Sequence, residues 1–367
     1  MDADTLLRND VLLGTLHYRL GIPRWIIGPL LHVLVLVQVP WAVLTGVWAT
    51  GDSQLRDNYH WWIGYFILTL LVYLALRYYR RVPEVFDSMG ERGIFTDGTA
   101  AYKNTLQDYA RLYARPYFNI ISILVAAAVA AGMHLLPLDA GRVTWATTAS
   151  GTFLNALGFW KMFLDFLLIL MIGQITYAVV VTIVIYYRLD RDIHAGRLGY
   201  EFVRLSQSNA GGLKPLGELA MNANYTIVIV GLFVGMMSFT VLLDIRGAGS
   251  MAADQAVQVF VPLALYGLLA PTLFFFHLWP IHQIMREKKD ALFRMIQNED
   301  RQILRMERES LASLYEDRDR MDDLAFNAEV FNMVKRLPSW PFNVETILKL
   351  VTTVMIPLLP FLVEFLI

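Results

Sequence analysis

Seven runs of about twenty largely apolar residues punctuate this chain, near 25–48, 61–79, 117–137, 160–187, 225–244, 257–280 and 345–367. A hydrocarbon layer about 30 Å thick takes roughly 20 residues of helix to cross, and it offers no water to an unpaired backbone amide. Each run is therefore predicted to be helical and to close its own hydrogen bonds. Composition agrees: 56% of the 367 residues are hydrophobic and only 17% charged, with a mean hydropathy of +0.46, a balance foreign to soluble folds of this length. The predicted class is all-α, a polytopic membrane protein with about seven transmembrane helices and a cytoplasmic helical, coiled-coil-like extension. The fourth run, "WKMFLDFLLILMIGQITYAVVVTIVIYY", is long enough to tilt or to project beyond the bilayer. The last holds Lys349, Pro357, Pro360 and Glu364, which fits a kinked span or a half-inserted hairpin.

Lysine and arginine orient the spans. They gather before span one (Arg8, Arg19, Arg24), in the connectors 80–116 and 188–224, and after span six (Arg286, Lys288, Lys289, Arg294), whereas the alternate loops carry only Arg56, Arg142 and Arg246. A cytoplasmic amino terminus and a periplasmic carboxy terminus satisfy this pattern in a bacterial inner membrane. The first twenty residues contain acids and no apolar core leading to a cleavage site, so the first span is expected to do the targeting. The net charge of −1 gives no reason to propose nucleic acid, and the absence of cysteine excludes disulfides, thiolate metal sites and cysteine nucleophiles.

Three segments follow: a membrane domain over 1–280, charged amphipathic helices over 281–337, and a carboxy-terminal membrane helix over 338–367. Segment 281–337 mixes charges of both signs with Leu292, Ile296, Ile303 and Leu314 at spacings of three and four. It fits an intramolecular hairpin turning near "YEDRDRMDDL", or a self-associating stalk with an impure heptad seam.

Catalytic signatures are missing. No GxxxxGK[ST], GxSxG, HExxH or DxDxDG occurs, so no enzyme activity, cofactor or metal site is expected. His277 and His282 straddle Pro280 on different helix faces, as interfacial polar residues beside Trp279. Polar groups within the spans carry more meaning, because burying them in lipid is costly. Asp165 fits an acidic vestibule or an interfacial position, and Gln174 and Thr176 fit a pore stripe or an interhelical hydrogen bond. Gly231 and Gly235 form a small-xxx-small pair expected to pack helices closely.

Between spans four and five lies "SQSNAGGLKPLGELAMNANY". Asn209, Gly211 and Gly212 predict a turn, Lys214 supplies a cation, and Pro215 starts an interfacial helix that offers Leu216, Leu219 and Met221 to the membrane. With the later "FHLWPIHQIMREKKDALFRMI", this elbow resembles a pattern of bacterial multi-pass membrane proteins: Gly-Gly-Leu-x-Pro-Leu-Gly, then a Pro-x-x-x-Ile-His-like exit into a charged helix. Gly211, Gly212, Leu213, Pro215, Leu216, Gly217, Pro280, Ile281 and His282 carry the match, while that pattern's His-Pro-Asp is absent. The layout is also similar to channel-forming effectors of bacterial anti-phage systems such as the Hailong membrane effector, and that resemblance implies a gated inner-membrane channel with a defence or stress role. The expected function is a homo-oligomeric ion channel gated from the cytoplasm, its partners being the bilayer, further copies of itself, inorganic ions and a cytoplasmic activator or inhibitor. The gate would involve the elbow, Pro280 and His282. A secondary transporter, or a signalling scaffold acting through its cytoplasmic helices, is the alternative.

Overall fold

The computed structural model describes residues 3–45, 59–95, 98–135, 153–200, 212–248, 253–305, 318–342 and 344–359. The chain is all-helical, and among the described residues there is no strand beyond an isolated antiparallel bridge of Phe95 with Tyr200. In order, the helices are α1 (Ala3–Asn9), α2 (Val11–Gly14, running into a π turn Thr15–Arg19), α3 (Arg24–Leu36), α4 (Gln38–Leu44), α5 (Tyr59–Glu91), α6 (Gly98–Tyr113), α7 (Pro116–Leu135), α8 (Ala156–His194), α9 (Lys214–Ala248), α10 (Ala253–Arg305), α11 (Arg318–Arg336) and α12 (Val344–Met355, followed by the 3-10 turn Ile356–Leu358).

Four stretches among the described residues are long and apolar enough to cross a membrane: Arg24–Leu44, Tyr102–Leu135, Ala156–His194 and Phe260–Asn298. The second is interrupted before Pro116, so its apolar part is α7. The remaining predicted runs fall on α5, α9 and the α12 region, and residues 360–367 of the last lie outside the described part. At 39 residues α8 is about 58 Å long, well beyond the thickness of a 30 Å layer.

Inside lipid the hydrophobic effect does not draw helices together, so close approach and polar contacts must. A Cβ on Gly231 would lie 2.0 Å from the Tyr266 ring of α10, and one on Gly235 would lie 2.7 Å from the Pro357 carbonyl oxygen. The predicted packing pair thus joins α9 both to α10 and to the 3-10 turn. Phe118 of α7 stacks on Tyr177 of α8 at 4.3 Å. At the amino terminus Asp10 caps α2 by accepting from Leu13 N at 2.7 Å, and it also accepts from the Tyr79 hydroxyl at 2.7 Å. This bond ties α2 to α5.

Beyond the membrane runs, α10 continues to Arg305 and packs on α11. Ile296, Val334 and Leu337 are buried together under Leu292, Phe293, Val330 and Phe331. This contact is the intramolecular hairpin, and in water each fully buried side chain of this size contributes about 1.5–3 kcal/mol. Lys289 Nζ donates to the carbonyls of Lys335 and Leu337 at 3.0 and 2.7 Å, which satisfies the free end of α11.

One expectation fails here. Leu216, Leu219 and Met221 belong to the buried core rather than to a membrane-facing surface, at 0%, 0% and 6% exposure. The elbow helix is the uninterrupted start of α9, wedged beside α8, and its apolar stripe is used on protein.

Candidate functional site

Successive turns of α8 send Gln174, Ala178, Thr182 and Tyr186 inward, all buried. Their spacing of four keeps them near one stripe of the helix. Thr182 is the centre of a hydroxyl cluster: Tyr78 OH of α5 donates to its Oγ1 at 2.8 Å, Tyr113 OH of α6 lies 2.6 Å from the same atom, and Thr182 donates to Ala178 O at 3.0 Å. One turn on, Tyr186 OH donates to Leu216 O at 3.3 Å. Its ring lies 4.9 Å from His277 of α10. His277 is therefore buried in the protein, on the face of α10 that turns toward α8.

Several interior polar atoms have no hydrogen-bond partner in the protein. Gln174 Nε2, both amide atoms of Asn224, Thr226 Oγ1, Tyr266 OH and His277 Nε2 are in this position. Such groups cost about 1–3 kcal/mol each when left unmet, and here they are spread over three helices, α8, α9 and α10. The outward faces contrast with this. Phe159, Phe163, Val180 and Val184 of α8, Ile120, Leu124 and Val129 of α7, and Val261, Leu265 and Leu268 of α10 are exposed. Thr176 is exposed among them while Gln174 is buried, so these two predicted pore residues do not share a stripe.

Asp165 is buried, and its Oδ2 lies 2.6 Å from His134 Nε2 of α7 and accepts from Lys161 Nζ at 3.1 Å. Lys161 Nζ is also 3.2 Å from His134 Nε2. All three side chains are at most 7% exposed. The predicted acidic vestibule is thus an internal ionic cluster. Its two other members were missed in the sequence, although Lys161 and Asp165 stand at the i, i+4 spacing that pairs charges on a helix.

At the opposite end two residues of the matched pattern, Gly217 and His282, meet a clamp formed by residues 337–342. Gly212 takes a left-handed φ of 89°, which a side chain would strain. Two residues later Lys214 starts α9 and lies 3.9 Å from Glu218. A Cβ on Gly217 would lie 2.1 Å from the Pro341 carbonyl oxygen, so only glycine lets the clamp lie on α9. His282 Nδ1 lies 2.6 Å from the Ser339 carbonyl, and its ring stacks on Trp340. Pro280 is buried inside the unbroken α10. Asn209 and Gly211 lie outside the described residues. His194 Nε2, at the tip of α8, meets Glu287 of α10 at 2.6 Å.

Outside the membrane runs, burial pushes the Asp10 carboxyl up to about 6, against the pull of its bonds from Leu13 and Tyr79. Among the described residues no group of three or more His, Cys, Asp or Glu side chains is placed to hold a metal. No protein-family model matches the chain, and no curated protein or solved structure is similar to it.

Proposed function

We propose that this protein is an ion channel or pore of a bacterial inner membrane, with about seven spans, a cytoplasmic amino terminus, and a gate worked from the cytoplasm through α10. The path is assigned to the interior of each protomer instead of to an axis between protomers. One observation carries this choice: Gln174, Thr182, Asn224, Thr226 and His277 are buried in the chain, while the exposed faces of the spans, Thr176 and Thr272 aside, are largely apolar. An apolar outer face suits lipid or a neighbouring copy, so homo-oligomerisation remains part of the proposal without supplying the path. The gate assignment rests on α10, whose 53 residues join the interior polar region to the hairpin and the clamp.

A secondary transporter is the second reading, favoured by the unpartnered Asn224 amide, which has the donor and acceptor a bound polar solute would need. Full-length protein in phospholipid vesicles tests both. A channel passes monovalent ions at rates that rise linearly with the gradient, whereas a transporter saturates. Vesicles as tight as protein-free ones to every ion, under all cytoplasmic additions tried, would reject the channel.

A further inference from the structure

We propose that His194 is a proton-operated latch between α8 and the extension of α10: as an imidazolium it bridges Asp190 and Glu287, and on losing its proton it lets the extension go. As a latch it stands on the geometry of the two helices. As a regulator it rests on the reading of α10 as the gate, and names the proton as what works it.

His194 is the last residue of α8 and lies beyond the apolar run 160–187. Both of its ring nitrogens face oxygens. Nδ1 lies 2.8 Å from the Asp190 carbonyl oxygen and 3.3 Å from Asp190 Oδ1, while Nε2 lies 2.6 Å from Glu287 Oε2. A carbonyl and an ionised carboxylate can only accept, and a neutral imidazole carries a single N–H. A neutral ring would therefore set lone pair against lone pair on one side. The imidazolium donates on both. Asp190 Oδ1 is a second sign of the cation: it is buried and has no hydrogen bond, so the ring beside it is the charge that offsets it. The carboxy-terminal turn of a helix also favours positive charge. The Asp190 carbonyl and the two carboxylates hold the ring above its ordinary 6.5, against the opposing effect of burial. The bridge is then complete below that value and is lost as pH rises through the ring's own, higher one.

Glu287 stands seven residues, about 10 Å, beyond Pro280, so the pair ties α10 down close to the proline. The cleft around the ring is lined from α8 and α10, with Lys288 and Arg294 as the cations that oppose the imidazolium. Other charges on these helices are engaged: Asp192 with Arg197, Arg286 with Asp290, and Lys289 with the carbonyls of Lys335 and Leu337. Arg188 and Arg191 of α8 are within electrostatic reach of Tyr109 on α6. The other helices packed on α8 bring paired charges, Asp108 with Arg111 on α6, Arg80 and Arg81 with Glu84 on α5, and Lys214 with Glu218 on α9, together with Asp87 and Glu91 near the end of α5.

The test is a titration of ¹⁵N-histidine-labelled full-length protein in micelles, with the His194 signal assigned by its loss in His194→Gln. The midpoint is expected above that of an ordinary imidazole. Glu287→Gln and Asp190→Asn each remove an anion and should each lower the proton affinity about threefold or more, while Lys288→Gln removes a cation and should raise it by a similar factor. A midpoint at or below the ordinary value, or one that Glu287→Gln leaves in place, overturns the latch. The chain has no cysteine, so spin labels on Ala195→Cys and Asn298→Cys report α8 against α10 without background. Their distance distribution should widen as pH rises through the His194 midpoint and should be wide at every pH in His194→Gln. A constant width through the midpoint also overturns the latch. In vesicles with pH changed on both sides, potassium flux through the wild type should rise about threefold or more over the same range, and flux through His194→Gln should be high and independent of pH. Wild-type flux that ignores pH, beside a latch that titrates and widens as stated, overturns the regulator and leaves the channel standing. The same latch in a protein that passes no ion supports the latch and removes the channel reading.

Discussion

The His282 imidazole lies flat on the Trp340 indole, with ring centroids 4.0 Å apart and planes 14° from parallel. The same ring bonds the neighbouring carbonyl of Ser339. One side chain on α10 therefore holds the 337–342 clamp by two unlike forces. Replacing His282 by Ala removes about 1 kcal/mol of hydrogen bond and a similar amount of ring contact. Trypsin cleavage after Lys335 and Arg336, at the edge of the clamp, should then speed up roughly tenfold or more. Cleavage at the wild-type rate would show that the clamp is held by other contacts.

Gly217→Ala forces a methyl group against the backbone oxygen of Pro341, which has no flexible tip to swing away. Overpacking of this kind costs about 1–3 kcal/mol. Gly267→Ala is the control, since a Cβ there meets nothing within 4 Å, and alanine is the better helix former by about 1 kcal/mol. Melting temperatures in detergent should separate the two variants in opposite directions from the wild type.

Asp10 gives the fold a pH dependence of unusual sign. Its carboxyl is raised from 3.8 to about 6, so between those values the folded chain keeps a proton that the unfolded chain releases. Its contribution to stability therefore falls as pH rises through that window, and above pH 6 the full cost is about 3 kcal/mol. Asn keeps its Oδ1 as the acceptor for Leu13 N, turns an NH2 donor toward the Tyr79 oxygen, and cannot ionise. The stability difference between Asp10→Asn and wild type should grow from pH 4 to pH 6 and then level off in denaturant titrations. A constant difference would refute the assignment.

Thr182→Val removes the hydroxyl shared by Tyr78 and Tyr113. Tyr113 retains Ala178 O at 3.1 Å, whereas Tyr78 loses the partner to which it donates, at a cost of about 1–3 kcal/mol. Thr182→Ser should restore most of the loss. Valine and serine variants of equal thermal stability would show that the cluster is idle.

Hydropathy made the helices legible because lipid imposes one backbone solution, but it did not tell lipid-facing apolar residues from protein-facing ones. Leu216, Leu219 and Met221 suited either surface, and the structure uses them inside. Gln174 and Thr176 are two residues apart, about 200° round a helix, so their divergence was readable from spacing alone. The i, i+4 relation of Lys161 and Asp165 was equally available. His134 was not, because 27 residues of chain separate it from Lys161 and only the packing of α7 on α8 brings them together. For the same reason the Tyr78–Thr182–Tyr113 cluster has no local signature: its members come from three helices.

The unbroken course of α10 gives it the properties of a lever. From Pro280 to Arg305 it reaches about 38 Å, so a tilt of about 5° at the proline would displace its far end by roughly 3 Å. Conversely, a small force applied at the hairpin arrives at Pro280 multiplied by the length of the arm. The arm leaves the work unchanged, so anything acting at the hairpin would have to supply, as a difference in binding between the straight and the bent helix, the free energy that the bend beside His277 requires.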